Sequence, residues 1–123
     1  MPRPRVLVVD DEEAIRDALA FSLGAAGFEV RSAATGGAGL ELALAERFDA
    51  VLLDLLLPDI QGDVVCARLR AALASPPAVV LVTARTDPDA EALGRACGAD
   101  AFVTKPFRLA DLVGRLRELA GAG

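Results

Sequence analysis

Five short apolar runs, each followed by a stretch with helical spacing, constrain this chain more than any other feature. The runs are Val6-Leu7-Val8-Val9, Phe28-Glu29-Val30, Val51-Leu52-Leu53, Val79-Val80-Leu81-Val82 and Phe102-Val103. Most are rich in β-branched residues, which suit strands. The first and fourth are continuously apolar, the pattern of strands buried on both faces of a parallel sheet. Helical stretches follow near Glu13 to Ala26, Gly37 to Glu46, Gly62 to Leu73, Pro88 to Cys97 and Leu109 to Leu119. Their apolar residues recur at spacings of three and four, as in Ile15, Leu19, Leu23 and Ala26. Parallel strands need crossovers of this length, so five such units imply an α/β domain.

Punctuation agrees with these boundaries. Gly27 and Gly98 fall where left-handed helix caps are expected. Asp87-Pro88 reads as a cap followed by a first-turn proline, and Ser75-Pro76-Pro77 closes the third helix. The tail Gly121-Ala122-Gly123 reads as a frayed end or a cut point. A chain of 123 residues fits one domain, taken here as 1–123. No apolar run reaches the roughly 18 to 20 residues of a membrane span. The N-terminus lacks the pattern of a secretory signal. A soluble cytoplasmic protein with no membrane partner is expected.

Charge narrows the partners. The formal net charge of -5 argues against direct nucleic-acid binding, which needs clustered positive charge. Of 13 basic residues only Lys105 is a lysine. An ammonium is a compact point charge and a guanidinium a planar fork, so the one lysine is a candidate for a site needing that geometry. Cys66 and Cys97 show no metal-ligand spacing and read as small buried hydrophobes in a reducing compartment. The absence of histidine excludes a His-ligated zinc site.

In open parallel sheets, ligands bind beyond the carboxyl ends of the strands. There the sequence places Asp10 and Asp11, followed by Glu12 and Glu13, after the first run. Asp54 follows the third run, Thr83 the fourth, and Thr104 and Lys105 the fifth. Taken singly, each has a plainer reading. The acidic run suits a helix N-terminus, Asp54 suits a turn, and Thr83 suits a strand-end hydroxyl bonded to backbone. Together they bring three carboxylates, a hydroxyl and an ammonium to one rim. Clustered carboxylates repel and raise one another's pKa, and a hard divalent cation removes that repulsion. Oxygen-only ligands suit Mg²⁺, or Mn²⁺. A cation beside a carboxylate and an ammonium forms a cradle for a phosphoryl group. Asp54 stands alone at the end of an apolar strand, so it is the candidate nucleophile for an aspartyl phosphate.

These segments resemble the receiver domain of two-component response regulators over essentially the whole chain. The resemblance is carried by Val6–Glu12, by Asp49–Gly62 with its Asp54-Leu55-Leu56-Leu57-Pro58, by Leu81-Val82-Thr83-Ala84, and by Gly98–Phe107 with its Thr104-Lys105-Pro106-Phe107. It implies a flavodoxin-like (βα)5 three-layer sandwich with a parallel sheet in the order 2-1-3-4-5. Asp54 would be the phosphoacceptor. Asp11, Asp54 and the backbone carbonyl of Leu56 would bind the cation directly, and Asp10 through a water. Thr83 would be the switch hydroxyl, Lys105 the phosphate's ammonium, and Phe102 the switch aromatic that rotates inward. The Lys105-Pro106 bond would be cis. Leu57 stands where many relatives have Met. Leu56 and Arg85 occupy positions that tune phosphoryl lifetime, and an apolar Leu56 implies slow self-dephosphorylation.

The resemblance also implies partners. These are a sensor histidine kinase or phosphotransfer protein upstream, an effector domain or protein downstream, and a homodimer through the surface of the fourth helix, fifth strand and fifth helix. The chain would be a switch that assists its own phosphorylation and dephosphorylation, and not an enzyme. Two other classes stay open. One is a docking or dimerisation module that has lost phosphorylation. The other is a phosphatase using an aspartyl-phosphate intermediate, whose second Asp is expected two residues on, whereas Asp10 and Asp11 are adjacent. Gly36-Gly37-Ala38-Gly39 lacks the lysine and spacing of a nucleotide-binding loop.

Overall fold

The computed structural model describes residues 3–84 and 88–120. Arg85, Asp87 and the tail Gly121-Ala122-Gly123 lie outside the described residues. The elements alternate from β1 (Arg5–Val9), α1 (Glu13–Ala25), β2 (Glu29–Ala33) and α2 (Gly36–Ala45) to β3 (Ala50–Asp54) and α3 (Gly62–Ala72). They continue through β4 (Ala78–Thr83), α4 (Pro88–Ala96), β5 (Ala101–Thr104) and α5 (Leu109–Leu119). All strand pairs are parallel, in the order β2-β1-β3-β4-β5. This is the expected three-layer flavodoxin-like architecture.

Successive strand side chains point to opposite faces, so each apolar run feeds two cores. Val6, Val8, Leu52, Val80 and Val82 pack with Leu19 and Leu23 of α1 and Leu112 and Leu116 of α5. Leu7, Val9, Val51, Leu53, Val79 and Leu81 pack with Val65, Cys66 and Leu69 of α3 and Ala90 of α4. Continuous Val/Leu runs were therefore the right signal for the three central strands. The edge strand β2 was harder to read. It begins one residue later than expected and runs on through Arg31 and Ser32 to Ala33. Its half-exposed position admits polar residues, while Phe28 leaves the strand and is buried in the core.

Local signals set the ends of the elements. Gly27 and Gly98 have φ of 101° and 84°, as their cap positions required. Pro88 is the first residue of α4. Thr35 caps α2 by accepting from the Ala38 N–H at 3.1 Å, which starts that helix at Gly36 instead of Gly37. Leu73 lies just past α3 in extended conformation. The Lys105-Pro106 bond is cis.

Two further features close the fold. Cys66 is buried and its thiol donates to the Cys97 carbonyl at 3.3 Å. Burial, then the neighbouring Cys97, pushes its pKa up to about 12, so it acts as a small hydrophobe. Cys97 stands just past α4 and is only partly buried. At the amino edge of the sheet, the Arg5 guanidinium bonds Glu46 at 2.6 Å and Glu29 at 3.0 Å. It lies 4.8 Å from the centre of the Phe48 ring.

Two outcomes follow for stability. Leu81→Ala, in the core, is expected to cost about 2–5 kcal/mol in urea denaturation. Phe21→Ala, at an 80% exposed position of α1, should stay within about 0.5 kcal/mol. The hydrogen bond from Arg5 holds the Glu46 carboxyl below its usual 4.5. A depressed acid stabilises the fold above its unfolded pKa and loses that effect as pH falls through the folded value. Glu46→Gln should therefore melt below the wild type at pH 7, and the gap should close as acidification carries the pH below 4.5 and through the lowered folded value.

Candidate functional site

The polar residues at the carboxyl rim converge because the ladders run to the strand ends. Asp54 pairs with Val82, and Thr83 with Thr104, so Asp54, Thr83 and Thr104 are the last residues of their strands and not the first beyond them. Backbone bonds then extend the sheet past its edge. The Leu55 N–H donates to the Val82 carbonyl at 3.0 Å, and the Lys105 N–H to the Thr83 carbonyl at 2.7 Å.

The Lys105 ammonium lies between two carboxylates, 3.1 Å from Asp10 Oδ2 and 3.2 Å from Asp54 Oδ2. Asp10 is buried, and its other oxygen accepts from the Glu12 N–H at 2.9 Å. The Arg16 guanidinium donates to the Asp10 carbonyl at 2.8 Å. Asp54 Oδ1 accepts from the Leu56 N–H at 3.0 Å. The Asp54 side chain is buried and keeps 9% of its exposure. Asp11 is exposed beside it. Among the described residues, Asp10, Asp11 and Asp54 offer carboxylate oxygens within 4.8 Å of one another. An all-oxygen set of this size, open on one side, fits a hard divalent cation that keeps some of its waters.

Burial decides the charge balance. It raises the Asp54 pKa above 3.8, against the Leu56 N–H and the Lys105 charge, which both favour the ionised form. Burial also acts on Lys105 to lower its pKa, but bonding to Asp10 and the charges of Asp54 and Asp10 outweigh it, and the net shift is upward. The two directions are compatible. Lys105 has two anions to itself, whereas Asp54 shares one cation with Asp10.

The remaining expected residues lie close by. Thr83 is fully buried at the end of β4. Phe102 pairs with Leu81 on β5, half-buried, and its ring rests against Gly94 of α4, where an added Cβ would come within 2.8 Å. Leu56 is half-exposed and apolar at the mouth of the site. A concavity of about 530 Å³ lies at the opposite edge of the sheet among Asp49, Arg70 and Asp100.

One residue escaped sequence reading. Asp59, in the loop between β3 and α3, accepts from the Gly36 N–H and the Gly37 N–H, both at 2.8 Å. The Gly37 N–H, ahead of Gly36, draws its pKa below 3.8. A glycine pair opening a helix hints at a close neighbour, but nothing local names a partner 23 residues away.

Fold and rim define a class of α/β domain that gathers carboxylates and one ammonium at the carboxyl edge of a parallel sheet. Within that class, the chain belongs to the response regulator receiver domain family, whose model matches residues 6–117. It is 42% identical over 118 residues to the sensory transduction protein RegX3 of Mycobacterium tuberculosis, covering 96% of this chain and 51% of that protein. It is 41% identical over 115 residues to the response regulator MprA of Mycolicibacterium vanbaalenii, covering 94% of this chain and 49% of that one. The chain thus spans about half the length of these curated relatives. Among solved structures, the chemotaxis protein CheY4 of Vibrio cholerae superposes with a TM-score of 0.87 at 30% identity, covering 96% of this chain and 99% of that one. The BeF3-activated receiver domain of DrrB superposes with the same score at 30% identity, covering 98% and 99%.

Removing the ammonium tests the charge balance. Lys105→Met should lower the melting temperature in EDTA, because Asp10 and Asp54 are left facing each other. Added Mg²⁺ should raise the variant's melting temperature more than the wild type's, since the ion binds only the folded acidic cluster.

Proposed function

We propose that Asp54 accepts a phosphoryl group from a phosphohistidine on a sensor kinase or phosphotransfer protein. The observation that carries this reading is the Asp54 carboxylate at the end of β3, 3.2 Å from the Lys105 ammonium and grouped with Asp10 and Asp11. Asp11, Asp54 and the Leu56 carbonyl would hold Mg²⁺ or Mn²⁺ directly, and Asp10 through a water. When bound, the ion supplies positive charge that offsets the acidic cluster and the incoming phosphoryl oxygens.

The chain's own groups do the rest. An oxygen of Asp54 attacks phosphorus in line, the P–N bond breaks, and the imidazole leaves with that electron pair. The Leu56 N–H holds the other Asp54 oxygen and so orients the nucleophile. Lys105 exchanges its contact with the Asp54 carboxylate for the phosphoryl oxygens. Thr83 offers its hydroxyl to the same oxygens, and Phe102 rotates inward as Thr83 moves. The α4-β5-α5 surface changes as a result, by a bias between two packings that the phosphoryl group tips. The domain is a switch that assists its own phosphorylation and dephosphorylation, and it turns over no separate substrate.

The rest of the reading follows from this role. Residues 1–123 form a single receiver domain working in the cytoplasm beside its kinase. The reshaped surface serves an effector domain or protein, and homodimerises through α4-β5-α5. No helix among the described residues is long and apolar enough to cross a membrane.

Incubated with acetyl phosphate and Mg²⁺, the wild type should gain the mass of one phosphoryl group, and Asp54→Asn should gain none. Phosphate on the Asn variant would overturn the assignment. The apolar Leu56 cannot position an attacking water, so the phosphorylated wild type should decay over many minutes once the donor is removed. Decay within seconds, followed by intact mass, would contradict that role for Leu56.

A further inference from the structure

The loop between β3 and α3 carries Leu56, whose N–H orients Asp54. Its two ends are fastened by backbone. The Gly62 N–H donates to the Leu55 carbonyl at 2.8 Å, and Gly62 packs so closely on the Asp54 and Leu55 backbone that no side chain would fit. Between those ends the loop is exposed at Leu56, Pro58 and Asp59. Leu57 is buried in the core and Ile60 packs against it, while Asp59 ties the loop to α2: its two carboxylate oxygens each take one N–H from the first turn of that helix. These N–H groups have no partner inside the helix, and a carboxylate there also meets the helix dipole favourably.

The receiving surface is shaped for this contact. An added Cβ at Gly36 would meet the Ile60 carbonyl oxygen at 2.6 Å, and one at Gly37 would meet Asp59 Oδ2 at 3.1 Å. The two glycines therefore let the loop lie directly on the helix end. Helix α2 is itself seated on β1, where an added Cβ at Gly39 would run into Val9 at 2.7 Å. Val9 precedes Asp10. The clamp thus links the strand end bearing Asp10 and Asp11 to the loop that orients Asp54.

We propose that Asp59 is a positioning residue for the acidic site, holding the β3–α3 loop against α2 so that Leu56 keeps the Asp54 carboxylate aimed at the cation and the phosphoryl donor. This rests on the reading of Asp10, Asp11 and Asp54 as a cation site. Asp59 touches neither the cation nor the reacting atoms. Without its side chain the loop keeps its core anchor at Leu57 but loses its hold on α2, and the geometry at Leu56 loosens.

The test is Mg²⁺ affinity measured by calorimetry on the 123-residue chain, alongside the melting temperature and the rate of phosphorylation by acetyl phosphate. Asp59→Ala should weaken Mg²⁺ binding about tenfold, the low end of what losing an outer partner costs a metal site. Phosphorylation should slow at low Mg²⁺ and recover at saturating Mg²⁺. Asp59→Asn, which keeps one acceptor oxygen, should fall between the two. Gly36→Ala, which pushes the loop away at Ile60 with Asp59 intact, should act in the same direction. A folded Asp59→Ala protein with Mg²⁺ affinity within twofold of wild type would overturn the proposal, as would a lowered melting temperature alone. A wild type that takes up no Mg²⁺, or binds it equally well as Asp54→Asn, would instead overturn the underlying cation site.

Discussion

The rim of this domain depends on one ammonium held between two buried carboxylates. Asp10 and Asp54 arrive from the ends of neighbouring strands, and burial presses Asp54 toward protonation. Lys105 opposes that by bonding both carboxylates at just over 3 Å. The arrangement is stable only provisionally, because Asp54 shares its partner. In the proposed reaction, a phosphoryl group or a divalent cation would take over part of that balance.

The sheet delivers these groups at no cost to its own packing. Each central strand is apolar on both faces, so its side chains are committed to the two cores. In β3, β4 and β5 the last residue, where the helical layers end, is polar. Asp54, Thr83 and Thr104 take that place. Chemistry and stability are thereby divided along the strand, and substitutions at the rim can alter charge without opening a cavity.

Most of this was legible beforehand. The five runs and the glycine caps at Gly27 and Gly98 matched expectation, since short-range chemistry sets them. The strand order and the cis Lys105-Pro106 bond matched what the family resemblance implied. The rim residues were legible too, because one parallel topology places every strand end at the same edge. The misreadings lie where local signals weaken. Strand β2 sits at the sheet edge and carries polar residues, so its apolar pattern ends before the strand does.

By itself, the order of residues determined the architecture and which side chains reach the rim, because period and punctuation act over a few residues. Only the tertiary structure decided how those side chains share charge, with Lys105 bridging Asp10 and Asp54 across 95 and 51 positions of chain. It alone joined Asp59 to the start of α2. Contacts of that kind follow from how helices settle on a twisted sheet, a collective outcome of packing that no short segment encodes.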